Sequence, residues 1–189
     1  IFKTNISNKT IQIEELVTLI ANDNEDHPLN ISHQYQTNGY SYTYGCHIVE
    51  IEIDKETFLP IIKKYTIVDD HGNVINPLTL EGQIHGGLAQ GIGQALYEFV
   101  YFDENGQLLT GSLMDYVVPK ASQLPDFNFF SHNTPCLNNV LGVKGVGEVG
   151  AIGAPPAVIS SISNALGIVH IDMPATIQKI WESHKNKDF

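Results

Sequence analysis

Residues 76–100 read NPLTLEGQIHGGLAQGIGQALYEFV. Asn suits a helix cap and Pro suits the first turn. From Leu78 to Val100 the apolar positions Leu80, Ile84, Leu88, Ile92, Ala95 and Leu96 recur at helical spacing, so the stretch predicts a helix. It nevertheless carries Gly82, Gly86, Gly87, Gly91 and Gly93. Each interior glycine costs up to about 1 kcal/mol relative to alanine, so the set needs a reason. Two stay open: close packing on a sheet or second helix, and close approach of the backbone to a ligand. Gln83 and Gln90 share one face, about 10 Å apart along the axis, with Gly86 and Gly87 between them. Two amides over a bare strip can donate to and accept from a flat polar ligand. Plain amides on a solvated face are the alternative. His85, lying between them, reads as structural or exposed rather than catalytic.

Downstream, residues 141–153 read LGVKGVGEVGAIG. Their one ionisable pair is Lys144 and Glu148, and Glu148 is the only carboxylate from Val140 to Ile171. The glycines permit positive φ and expose N–H groups, and the loop leads toward a helix N-terminus, where anions are stabilised. A solvated surface loop is the alternative. The spacing is no phosphate loop, lacking Gly-Lys-Ser or Gly-Lys-Thr, and no dinucleotide fingerprint. Ala154 to Leu166 predicts a helix with Pro155 and Pro156 in its first turn and Gly167 closing it. A short helix is expected at Pro174 to Trp181, and a frayed end from Lys185 to Phe189.

Upstream, Ile13 to Ala21 predicts a short amphipathic helix, followed by a polar loop from Asn22 to Pro28. A run of tyrosines, Tyr35, Tyr40, Tyr42 and Tyr44, ends at Gly45. His47 to Asp54 alternates as a half-buried strand does, and Leu59 to Val68 is its returning partner in a hairpin, broken by the segment from Asp69 to Asn73. Asp103 to Gly106 predicts a turn between two short strands, and Phe127 to His132 a further strand. The irregular mixture favours α+β, a mixed sheet with packed helices, over a doubly wound sheet. Residues 1–39 are expected to be an N-terminal extension or linking segment and residues 40–189 the main domain.

Composition narrows the function. The 189 residues carry ten basic and 21 acidic side chains, a formal charge of -11, which argues against nucleic acid and anionic membranes as partners. All the basic residues are lysine, so bidentate arginine clamps are missing. A charged fraction of 16% excludes a disordered tail and leaves surface to be covered by a neighbour. Cys46 and Cys136 sit in no metal spacing, which favours free thiols in a reducing, cytoplasmic setting over a disulfide. No 18-residue apolar run is read here, and no membrane span or signal peptide is expected.

The stretch from Gly82 to Glu98 resembles the cofactor-contacting helix of the large, molybdenum-binding subunit of the xanthine dehydrogenase family. Residues 141–148 are similar to that family's active-site glutamate loop. Tyr44-Gly45, the stretch from Asp70 to Pro77, and GSLMDYVVP at 111–119 follow the family in the same order. The wording is closest to the aerobic carbon monoxide dehydrogenase-like branch, and the likeness runs from about Tyr40 to Trp181.

The resemblance implies a C-terminal part of a molybdopterin-binding domain. It implies that Gln83 lies beside the molybdenum–pterin centre and that Gln90, with Gly87 and Gly91, falls on the helix near the cofactor. Lys144, Gly145, Val146 and Gly147 would contact the pterin end through their backbone. Glu148 would be the catalytic base in oxidative hydroxylation of an electrophilic carbon. The cofactor implied is molybdopterin with molybdenum, in the cytosine dinucleotide form. The metal is then held by the pterin dithiolene, with no protein ligand. Iron–sulfur clusters and FAD would lie on partner domains or subunits. The low charged fraction and the glycine-stripped helix face point to self-association as a homodimer. Family large subunits are several times longer than this chain, and the cysteine loop that would ligate copper is missing. A rival reading is a non-catalytic, stand-alone binding or assembly module of the same fold.

Overall fold

The computed structural model describes residues 2–3, 10–20 and 31–186. The polar loop expected at 22–28 and the last residues of the frayed end, 187–189, lie outside these. The chain divides into two compact units, Ile1–Thr37 and Asn38–Phe189. In the first, β1 (Phe2–Lys3) pairs antiparallel with β2 (Thr10–Ile11), and α1 (Ile13–Ile20) carries Glu14 and Glu15 in its first turn.

The second unit contains a three-stranded sheet in the order β3-β4-β5, formed by Tyr44–Ile53, Pro60–Asp70 and Phe127–Ser131. The β3–β4 hairpin is antiparallel and β5 runs parallel to β4, which makes the sheet mixed and the fold α+β. Asp54 builds the hairpin turn by accepting from the amides of Glu56 and Thr57. A register shift between Glu50 and Ile51 lets β4 expose both Lys63 and Lys64 while Ile62 and Tyr65 face inward. β4 also continues through Asp69 and Asp70, two residues into the expected break.

Among the described residues this unit has three α-helices, α2 (Pro77–Leu96), α3 (Val149–Leu166) and α4 (Ile177–Lys185), and one short 3-10 turn at Ala121–Gln123. Asn76 caps α2 by accepting from the Thr79 amide at 3.1 Å. Ile84, Leu88 and Ile92 of α2 are fully buried with Ala154, Val158 and Ile162 of α3 and Tyr65 and Ile67 of β4. Burying such side chains contributes roughly 1.5–3 kcal/mol each.

Several expected boundaries move. α3 begins at Val149 rather than at Ala154, so Pro155 and Pro156 lie inside the helix. Their missing N–H groups cost helix stability, which the burial of Ala154, Pro155 and Val158 offsets. α3 is also long and apolar enough to cross a membrane by length and composition, contrary to the reading that no such run exists. One face of it, Ala154, Val158, Ile162 and Leu166, is buried in the core with α2 and the sheet, as in the core helix of a globular domain, while Ile152 is exposed. α2 stops at Leu96, because Tyr97 leaves the helical region at φ -129°. The turn at 103–106 joins a single bridge, Phe102 to Leu108, rather than two strands. α4 starts at Ile177, three residues after the predicted start, where Thr176 supplies the cap.

Candidate functional site

The site forms where the end of β4, the start of α2 and the 141–148 loop meet. Past Asp70 the chain turns at Gly72, whose φ of 64° belongs to the left-handed region that favours glycine. Residues 72 and 143 then pair as an antiparallel bridge. The Asn73 amide donates to Gly142 O at 2.9 Å, and the Lys144 amide donates to His71 O at 3.2 Å. The Lys144 ammonium donates to Asp70 Oδ2 at 2.6 Å. The lysine side chain is therefore turned inward.

Beyond Lys144 the loop passes Gln83: a side chain at Gly147 would start 4.0 Å from Gln83 Nε2. Glu148 is exposed and occupies the position before the first turn of α3, where its carbonyl accepts from the Ile152 amide at 3.0 Å. Gly150 meets α2 backbone to backbone; a Cβ there would lie 2.6 Å from Ile84 O. That contact seats the start of α3, and so Glu148, beside the Gln83 turn of α2.

Four of the five helix glycines divide into two groups; the fifth, Gly93, is buried against Pro119 and Glu98. Gly87 and Gly91 are buried against α3: a Cβ on Gly87 would lie 2.9 Å from the Ala151 amide, and one on Gly91 2.6 Å from Ala154 Cβ. Close packing accounts for them and takes them out of the exposed strip. Gly82 and Gly86 have nothing within 4 Å and, with exposed Gln83 and Gln90, form the bare face. Gly145 is equally open, while Val146 is half-buried against the core. A cavity of about 220 Å³ adjoins the strip, lined by Gln83, Lys144, Val146, His71 and Leu80 among others. His85 packs its ring 5.3 Å from that of Phe127, a structural place.

Charged groups below the loop were not singled out by the sequence. Burial pushes the Asp70 carboxyl up, but the Lys144 ammonium and the Thr134 and Gly72 amides more than reverse this, holding it well below the usual carboxylate range. Asp69 has no hydrogen-bond partner for either oxygen, and burial raises it to about 6. His47 Nε2 stands 3.9 Å from one of its oxygens and His71 Nε2 3.7 Å from the other. Burial lowers both imidazoles. Ser131 donates to Asn133 and so accepts from Nδ1–H of His71. The Nε2 lone pair of neutral His71 then faces Asp69, an arrangement relieved when a proton sits on one of the two. The signal available in the sequence was a pair of carboxylates closing an apolar strand.

Residues 2–125 match the family model of the molybdopterin cofactor-binding domain. The chain belongs to that family. The match takes in α2 and ends before the Glu148 loop. Over 162 residues the chain is 40% identical to the 6-hydroxypseudooxynicotine dehydrogenase complex subunit gamma of Paenarthrobacter nicotinovorans, covering 84% of this chain and 20% of that protein. It is 34% identical over 160 residues to the carbon monoxide dehydrogenase large chain of Hydrogenophaga pseudoflava, covering 83% of this chain and 20% of the relative. Among solved structures, quinoline 2-oxidoreductase from Pseudomonas putida 86 aligns with a TM-score of 0.72 at 39% identity, over 75% of this chain and 18% of the other. The chain thus spans about a fifth of the length of the curated relatives it matches, as a fragment of the molybdopterin-binding large subunit. Among its described residues no group of three or more His, Cys, Asp and Glu is arranged to hold a metal ion.

Proposed function

We propose that the chain is the section of a molybdenum hydroxylase large subunit that carries the active-site base, Glu148, for oxidative hydroxylation at an electrophilic carbon. The observation that carries this reading is the meeting of Gln83 with the 145–148 loop on an open, glycine-lined surface at the start of α3. A flat pterin group suits that surface: open space stands at Gly82, Gly86 and Gly145, bordered by exposed amides. Gln83 would hold the group through its side-chain amide and residues 145–147 through their backbone, the Lys144 amide being bonded to His71 O, with Gln90 farther along the strip. When bound, the molybdenum–pterin group supplies two-electron oxidation with oxygen drawn from water.

Glu148 supplies the proton acceptor. A positioned general base contributes roughly 10²–10⁴-fold. Its exposure leaves the carboxylate free to reach the attacking oxygen, and the helix start behind it keeps the backbone in place. The cytosine dinucleotide form of the cofactor, iron–sulfur and FAD partner subunits, a homodimer and a cytoplasmic setting complete the proposal. Partner subunits are supported by relatives named as a complex subunit gamma and a large chain. The free state of Cys46 and Cys136 supports the reducing setting.

Glu148→Gln in the complete parent enzyme keeps the shape and removes the base. The expected result is a loss of at least about 10²-fold in kcat with molybdenum content retained. Turnover within about threefold of the parent would leave Glu148 a surface residue.

A further inference from the structure

One buried carboxylate ties the Glu148 loop to the sheet. Asp70, the last residue of β4, is 1% exposed. Its Oδ2 accepts from Lys144 Nζ at 2.6 Å, and its Oδ1 accepts from the amides of Gly72 and Thr134, each at 2.9 Å. Two segments remote in sequence, the stretch after β5 and the Glu148 loop, therefore meet the turn after β4 on one side chain. The Lys144 side chain is only 9% exposed and lies over the Tyr44 ring. A buried ion pair adds little net stability, because desolvation offsets its attraction. Its effect here is geometric. Gly145 and Gly147 bring no side-chain contacts of their own, Val146 between them is held only by apolar packing, and Lys144 is the last residue before Glu148 with a side-chain hydrogen bond to the sheet.

We propose that Asp70 is a positioning residue, which sets the place of Glu148 by holding Lys144. The proposal rests on the reading of Glu148 as the base. Asp70→Asn keeps an acceptor for Gly72 and Thr134 but turns an N–H₂ group toward the ammonium. Adding Lys144→Met removes the stranded charge, so the double variant separates stability from position.

Hydrogen exchange on the full chain is the first readout. The amides of Asn73 and Lys144, bonded to Gly142 O and His71 O, are expected to exchange at least about tenfold faster in both variants, with the α2–α3 core unchanged. The second readout is the parent enzyme. Small displacements of a reacting group cost up to about a hundredfold, so kcat should fall between about tenfold and a hundredfold with KM within about threefold. In the double variant that loss should persist although the thermal midpoint returns toward the parental value. Parental exchange rates, or turnover that recovers together with stability, would overturn the proposal. Glu148→Gln is measured alongside. If it loses turnover while the double variant does not, the tether is wrong. If it keeps parental turnover, the functional reading fails, and the exchange rates alone decide the tether.

Discussion

Two glycines one and a half turns apart on α2 should respond to alanine with opposite signs. At Gly91 a Cβ would start 2.6 Å from Ala154 Cβ and 2.9 Å from Pro155 Cδ, both on a buried stretch of α3. Overpacking of this kind costs about 1–3 kcal/mol. Helix propensity returns up to about 1 kcal/mol, leaving Gly91→Ala destabilised by about 1 kcal/mol. At Gly86 nothing stands within 4 Å, so only the propensity gain of up to about 1 kcal/mol applies. For a domain of this size each kcal/mol moves Tm by about 2–4 °C, and the two variants should separate by about 4–8 °C. Thermal unfolding of the chain measures this directly. Ala154→Gly added to Gly91→Ala should recover part of the loss, a coupling expected only between residues in contact. A Gly91→Ala chain as stable as Gly86→Ala would refute the assignment of Gly91 to helix packing. The parent enzyme adds a second axis. If the strip holds the cofactor, Gly86→Ala should reduce molybdenum per subunit while raising the Tm of the chain; full loading would sever the strip from the cofactor.

The buried Asp69 gives a pH prediction. Its folded value, raised to about 6, exceeds the unfolded one, so its stabilising contribution is complete below pH 4 and is lost as pH rises through 6. Asp69→Asn, which mimics the protonated form, should match the parent in urea unfolding near pH 4 and exceed it by about 2 kcal/mol at pH 7.5; an equal difference at both pH values would rule this out. The chain purified alone, from cells that make the cofactor, should contain substoichiometric molybdenum, because it spans about a fifth of its relatives; one molybdenum per chain would sink that expectation.

The α2 helix and the β3–β4 hairpin were legible because their apolar residues recur at the periods the backbone imposes. Asn76-Pro77 marked the start of α2 within a residue, since capping is local chemistry. The start of α3 was misplaced because it is decided elsewhere. Pro155-Pro156 is a strong local start signal, yet Gly150 and Gly153 pack so closely on α2 and on the His47 ring that the helix extends five residues farther back. Local propensity lost to a tertiary contact that no window of sequence contains. The glycine question stayed open for the same reason: Gly86 and Gly91 look alike in the sequence, and only α3 distinguishes them. Asp70 and Lys144 are 74 residues apart, so their pairing could not be read from spacing.

The position of Glu148 illustrates how such contacts produce a site. A lone glutamate among glycines is the least constrained carboxylate a sequence can offer. In the fold it lies four residues after Lys144, which Asp70 holds, and two residues before Gly150, which Ile84 and Leu88 of α2 hold. The two anchors come from different elements, one from the sheet and one from the long helix. Between them the chain has few ways to run, and the absence of side chains at Gly145 and Gly147 leaves the surface beside Gln83 clear. The glycines therefore do not make the loop mobile in any useful sense. They make it thin, so that a large flat group can lie against it, while clamps on either side supply the rigidity a general base requires.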